Sequence, residues 1–251
     1  MHVEYHKWWS PGLGHDMELK VYSAGAGLDS SAGKPVVVFP TQGGRFYEYE
    51  DFGMVAASAP HIESGRICLY TVDSVDNQSW ANWEAPPAQR ARRHNDYDRY
   101  IVEEVAPFIH HRGHVGRFLA TGCSMGGYHS ANFFFRHPDV FDALVSLSGL
   151  LQLRLFVGDY MDDNVYFNTP LAYLPNLENP WHLDLYRQSQ IIVCAGRGPW
   201  DEDMLNDALA LKGILEVRGV PCWIDIWGPD VSHDWPWWRR QMPYFLQHLG
   251  L

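Results

Sequence analysis

Hydrophobic positions change their period several times along this chain. VEYHKWW (3–9) and ELKVYS (18–23) read as strands, and the turn between them contains Pro11, Gly12 and Gly14. The opening is therefore predicted to be a β-hairpin. A Gly/Ser-rich loop, Ala24 to Gly33, follows. KPVVVFP (34–40) is then a short β-branched run with the character of a fully buried strand. Further strands are predicted at ICLYTV (67–72), RFLATG (117–122), ALVSLSG (143–149), QIIVCAG (190–196) and PCWIDIWG (221–228). Helical patterns occupy 89–112, 125–137, 203–218 and 234–249. Strands alternating with helices predict an α/β fold: a mostly parallel central sheet with helices on both faces. The hairpin would add antiparallel strands at one edge. Residues 150–189 break the alternation with Asp, Asn, Pro and aromatics. They read as an insertion over a sheet edge, near the active site.

Composition narrows the picture. Of 251 residues, 46% are hydrophobic and 20% charged, which excludes a disordered chain. The length suits one domain, 1–251. A net charge of −11 argues against a nucleic-acid partner. No stretch approaches about 18 consecutive apolar residues, so no membrane span is expected. MHVEYHKWWSPG has no apolar core, so no secretory signal is read. None of the four cysteines, Cys68, Cys123, Cys194 and Cys222, forms a C-x-x-C pair. Buried free thiols suit a reducing cytoplasm.

The sharpest motif is Gly122-Cys123-Ser124-Met125-Gly126-Gly127, a G-x-S-x-G match between an apolar strand and a helical pattern. A nucleophile elbow requires this strand–turn–helix setting, which lifts the Ser124 hydroxyl clear of the sheet. Glycines are needed where a Cβ would collide with the neighbouring strand and helix. Cys123 is a rival nucleophile, but its place in the motif points it into the fold. A serine hydroxyl needs a base. His233 follows the last strand, where the base belongs. The other histidines have plainer readings: His110, His111 and His114 at the end of a charged helix, His137 before Pro138, and His129 one turn beyond the elbow. His110 and His114 lack an H-E-x-x-H context, so no metal or other cofactor is expected.

With both motifs in hand, the sequence resembles the putative-esterase family of α/β hydrolases. That family includes S-formylglutathione hydrolases, feruloyl esterases and mycobacterial mycolyltransferases. The resemblance runs from about Pro35 to Phe245. It rests on VVVFPTQGGRFYEYED, SWANWEAPPAQR, GCSMGGYHS, VCAGRGPWDED and GPDVSHDWPWWRRQMPYFL, with His233, Trp235 and Trp238 forming H-x-W-x-x-W. It implies a single-domain α/β-hydrolase fold and a serine carboxylic ester hydrolase acting through an acyl-enzyme. The triad acid usually follows the penultimate strand in a G-x-x-D-like context. Here Asp201, Glu202 and Asp203 compete. Asp201 completes Gly198-x-x-Asp201, Glu202 is the alternative, and Asp203 reads as the N-cap of a helix starting near Met204. The oxyanion donors expected are the Met125 N–H and, by the family pattern, that of Gln42, with Gly43 next.

Eleven tryptophans is a high count. Trp80 and Trp83, with Tyr160, Tyr166, Phe167, Tyr173 and Trp181, are candidate pocket-formers, while Trp235, Trp237 and Trp238 also read as packing around the last helix. No lid-sized insertion is present, which favours small or medium esters as the small-molecule substrate. An acyltransferase acting on a sugar or alcohol would share the same acyl-enzyme. A non-catalytic binding module on the hydrolase scaffold is the third reading. A homo-oligomer is compatible with this reading.

Overall fold

The computed structural model describes residues 1–25 and 33–251. The greater part of the Gly/Ser-rich loop, 26–32, lies outside the described residues. Among the described residues eight strands form one sheet: β1 (His2–Ser10), β2 (His15–Ser23), β3 (Lys34–Phe39), β4 (Ile67–Val72), β5 (Phe118–Cys123), β6 (Phe141–Leu147), β7 (Gln190–Ala195) and β8 (Trp223–Ile226). Their order is β1-β2-β4-β3-β5-β6-β7-β8. β1 pairs antiparallel with β2, and β2 with β4; all other pairings are parallel. The hairpin and every predicted strand are present, with ends shifted by at most three residues.

Alternation of side chains along the inner strands builds two cores, one on each face of the sheet. Val36, Val38, Leu69, Leu119, Val145 and Ile192 point to one face. Val37, Phe39, Tyr70, Ala120, Leu144 and Val193 point to the other. Helix α1 (Met54–Glu63) covers the first face through Met54, Val55 and Ile62. On the second face, α2 (Pro87–Arg99) runs through a π-turn (Tyr100–Val105) into α3 (Ala106–His111). It buries Tyr97, Tyr100, Ile101, Val105 and Ile109. Helix α4 (Met125–Arg136) adds Phe133, Phe134 and Phe135 on that side. α5 (Pro180–Arg187) and α6 (Glu202–Val217) cover it further, through Tyr186 and through Ala208, Leu211 and Leu215. The last helix, α7 (Trp235–His248), closes the first face with Trp238, Met242, Phe245 and Leu246.

Between β6 and β7 the chain makes short helices, Arg154–Val157, Asp163–Tyr166 and Pro170–Tyr173, before α5. The segment leaves the C-terminal end of β6, an interior strand. Leu153, Phe156, Val157 and Val165 pack on Met125 and Tyr128, the first turn of α4. The Tyr128 hydroxyl donates to the Asn168 carbonyl at 2.9 Å.

The glycines after β5 mark where backbone meets backbone. A Cβ on Gly126 would sit 2.2 Å from the Phe39 carbonyl oxygen, and one on Gly122 would sit 2.5 Å from the Gly126 carbonyl. Gly126→Ala is therefore expected to lower unfolding stability by about 2–3 kcal/mol. Gly213→Ala is the control. Gly213 lies within α6, and a Cβ there would meet nothing within 4 Å. That substitution should raise stability by about 0.5–1 kcal/mol. Urea titrations of both variants test the assignment, and equal midpoints would contradict it.

Candidate active site

Parallel strands deliver their C-terminal loops to one edge of the sheet, and the sequence-predicted site residues lie on those loops. Ser124 follows β5 with φ 56° and ψ −119°, a left-handed-side conformation rare for a residue with a β-carbon. Its N–H donates to the Leu147 carbonyl at 2.9 Å, and its own carbonyl accepts from the Tyr128 N–H at 3.1 Å. The residue thus ends one strand and starts α4. Cys123, beside it, is buried within β5, and burial pushes its thiol well above the ordinary cysteine range. A thiol held protonated and enclosed is a poor nucleophile.

The loops after β7 and β8 are laced together. The Gly198 N–H donates to the Val231 carbonyl at 2.9 Å, and the Arg197 N–H to the Gly228 carbonyl at 3.2 Å. A Cβ on Gly196 or Gly198 would sit 2.2 or 2.4 Å from the Val231 oxygen, so only glycine permits the approach. The lacing brings Asp201 to His233: Oδ1 lies 2.7 Å from Nδ1. Asp201 has 0% exposure. Its Oδ2 accepts from the Gly196 N–H at 2.6 Å and the Ser148 hydroxyl at 3.0 Å. A buried carboxylate needs such donors to remain charged.

Asp201 also takes the N-cap position of α6, but its side chain caps nothing because it is turned toward His233. This corrects the expected helix start near Met204 with Asp203 as cap. Asp203 instead falls in the first turn, where a negative charge suits the helix dipole. Glu202 is exposed.

The His233 ring meets Trp238 edge-on, with centroids 5.0 Å apart. The Trp238 indole N–H donates to the Ser148 hydroxyl at 3.2 Å. Trp235 packs on Trp238 and stacks on Phe52, centroids 4.5 Å apart. Asp234 caps α7 by accepting the Trp235 N–H at 2.7 Å. The aromatic cluster after His233 thus orients the ring and fixes the start of the last helix. No sequence motif marks Ser148. It lies just past β6 with φ 49°, and a lone Ser-Gly at a strand end carries no distinctive signal.

β3 and β5 are paired neighbours, Phe39 opposite Gly122, so the Pro40–Gly44 loop emerges beside the start of α4. Glu48 fastens it: Oε2 accepts from the Thr41 N–H at 2.8 Å and Oε1 from the Thr41 hydroxyl at 2.6 Å. Burial pushes the Glu48 carboxyl up from its ordinary range. Gln42 and Gly43 form the exposed crest of the turn, with Gly43 at φ 71° and the Gly44 N–H donating to the Thr41 carbonyl. Met125 is the first residue of α4, at the end where helix N–H groups lack intrahelical partners.

The candidate pocket aromatics separate. Trp80 is fully enclosed, packed on His94 and beside Met125 and Tyr128, so it offers no face to a ligand. Trp83 is 60% exposed and stacks on Phe156, with Arg90 over its ring. Tyr160 borders a cavity of about 390 Å³ together with Leu153, Val157, Met161 and Val165, and donates its hydroxyl to Asp162. Phe167 is exposed next to Tyr166 and Tyr173 and does not line that cavity. A second imidazole–carboxylate pair, His129 and Asp76 at 2.9 Å, is wholly enclosed. It cannot meet a substrate proton in that state.

Among the described residues no helix is long and apolar enough to cross a membrane. No curated protein matches the chain. Solved structures share its fold. A ferulic acid esterase superposes with a TM-score of 0.74 at 17% identity, covering 98% of each chain. S-formylglutathione hydrolase from Staphylococcus aureus gives 0.71 at 18% identity, covering 100% of this chain and 97% of the other. MPT51 from Mycobacterium tuberculosis gives 0.69 at 17% identity, covering 99% and 98%. The family model described as "Putative esterase" matches residues 10–249. Nearly the whole chain lies within that match, and the protein belongs to the Putative esterase family of α/β hydrolases.

Proposed function

We propose that the protein is a serine carboxylic ester hydrolase that turns over small or medium acyl esters through an acyl-enzyme. The observation that carries this reading is the Asp201–His233 pair, 2.7 Å apart, on loops at the same sheet edge as the strained Ser124 turn. Asp201 accepts the Nδ1 proton of His233, which leaves Nε2 with a lone pair. Nε2 takes the Ser124 proton as Oγ attacks the ester carbonyl. The developing oxyanion takes the N–H of Met125 and that of Gln42 or Gly43, each such donor contributing on the order of 3 kcal/mol. The imidazolium then protonates the alcohol as it leaves. A water activated by the same imidazole attacks the acyl-enzyme and frees the carboxylate. If an alcohol or sugar attacks in place of water, the same residues perform acyl transfer. The free cysteines, three of them buried, suit a cytoplasmic setting.

Ser124→Ala is expected to lower kcat by about 10⁴-fold or more with an unchanged thermal midpoint. Cys123→Ser should keep substantial activity. A fluorophosphonate probe should label the wild type and not Ser124→Ala. Turnover of p-nitrophenyl acetate at the wild-type rate by Ser124→Ala would end the serine mechanism.

The acid is tested separately. Asp201→Asn should lower kcat by several orders of magnitude, about 10⁴-fold, because an amide favours the wrong imidazole tautomer. Glu202→Gln and Asp203→Asn should stay near the wild-type rate. A dead Glu202→Gln beside a working Asp201→Asn would move the acid by one residue.

A further inference from the structure

Trp200 is used by neither the fold nor the chemistry described above. Its φ of 72° lies in the left-handed region, where glycine is the ordinary occupant and any β-carbon is strained. The residue is 84% exposed. Among the described residues its ring stacks on no other ring and its indole N–H has no acceptor. The Gly198–Asp201 turn, closed by the Asp201 N–H on the Gly198 carbonyl at 3.4 Å with Pro199 at its second position, calls for a positive φ here but not for an indole, and nothing within the protein covers the apolar surface left in water. A strained, exposed tryptophan where the turn favours glycine points to function when it lies beside a site.

Trp200 does lie beside it. The preceding residue, Pro199, accepts the His233 backbone N–H at 3.2 Å. The following residue, Asp201, holds the His233 ring at 2.7 Å. Trp200 is therefore placed between two partners of the histidine. In ester hydrolysis the imidazolium hands its proton to the departing alcohol oxygen, so the alcohol portion of the substrate lies on the histidine side of Ser124.

We infer that Trp200 is a specificity-determining residue whose indole face is a platform for the alcohol portion of the ester. The substrate class is esters of alcohols carrying an aromatic ring. The inference rests on the ester-hydrolase reading above. An indole gives a large flat surface at low cost in conformational freedom, since only two side-chain torsions must be fixed. Ring-on-ring contact adds up to about a ten-fold preference beyond simple area burial.

The test uses the full chain with two substrates that share an acyl group, benzyl acetate and ethyl acetate. In Trp200→Ala, kcat/KM for benzyl acetate relative to ethyl acetate should fall about ten-fold, mainly through KM for the benzyl ester. Trp200→Phe should restore most of the preference. Trp200→Gly should lose the preference yet melt no lower than wild type, because glycine is at ease at this φ. An unchanged benzyl-to-ethyl ratio in Trp200→Ala would overturn the platform. So would a Trp200→Gly variant that melts several degrees lower and loses both substrates equally, since that marks a structural clamp. If the wild type hydrolyses neither ester, the hydrolase reading fails on its own. The platform is then decided by calorimetric binding of benzyl acetate to Ser124→Ala and to Ser124→Ala/Trp200→Ala. Weaker binding to the double variant supports it, and equal affinity overturns it.

Discussion

A carboxylate removed from water must find its donors within the protein, and Asp201 finds three on three different loops. The Ser148 hydroxyl comes from the end of β6, the Gly196 N–H from the end of β7, and the His233 ring from beyond β8. An unpaired charge at zero exposure would be strongly destabilising, so these loops cannot drift apart while the group stays ionised. The same constraint explains the glycines. Gly196 and Gly198 let two backbones touch at Val231, which is what brings the Asp201 loop within reach of the histidine. The Trp238 indole, bonded to Ser148 and edge-on to His233, closes the arrangement from the helix side.

The sheet makes the arrangement stiff. Each inner strand sends alternate side chains into two separate cores, so a strand cannot slide without moving apolar groups on both faces. Ser124, Ser148 and Asp201 follow three consecutive parallel strands. The strand ladder sets where these loops begin, and the lacing at Gly196 and Gly198 carries Asp201 the rest of the way. The Leu147 carbonyl carries this further: it accepts the Ser124 N–H, one residue before Ser148. The Ser124 turn and the carboxylate's hydroxyl donor thus share one piece of backbone.

What the sequence made legible was whatever a local pattern could encode. Apolar runs such as ICLYTV and IIVCAG specify buried parallel strands, and G-C-S-M-G-G between a strand and a helix specifies a sharp turn. Helix α1 was not legible: GMVAASAPHIE contains Gly53 and Pro60 and offers only a weak apolar stripe, so tertiary burial of Met54, Val55 and Ile62 decides it. The fate of Trp80 was not legible either, because a tryptophan's burial depends on segments distant in sequence, here His94, Tyr128 and Phe156. Asp201 and Asp203 could be ranked from spacing. Only the fold shows the carboxylate turned away from its own helix, since that choice is made by donors 5, 32 and 53 residues away. Ser148 left no trace at all, because its role comes from a neighbour brought by the sheet.

Strain is concentrated where the loops converge. Among the described residues the non-glycine residues at positive φ are Ser124, Ser148 and Trp200. Each such conformation costs on the order of 1–3 kcal/mol and persists only where the surroundings over-determine it. Ser124 is held by its N–H to Leu147 and by glycines packed against β3. Ser148 is held by its N–H to the Cys194 carbonyl and by its hydroxyl on Asp201. Trp200 is held by the turn that the Asp201 N–H closes on the Gly198 carbonyl, and through its neighbours, both of which bond His233. The first two are small residues whose side chains lie close to the backbone, so their strain is matched by local hydrogen bonds. At Trp200 the turn sets the backbone, but no contact within the chain covers the ring. A glycine at that position would keep the Pro199 and Asp201 contacts and relieve the backbone, so what the tryptophan adds at this cost is an exposed indole next in sequence to two partners of His233.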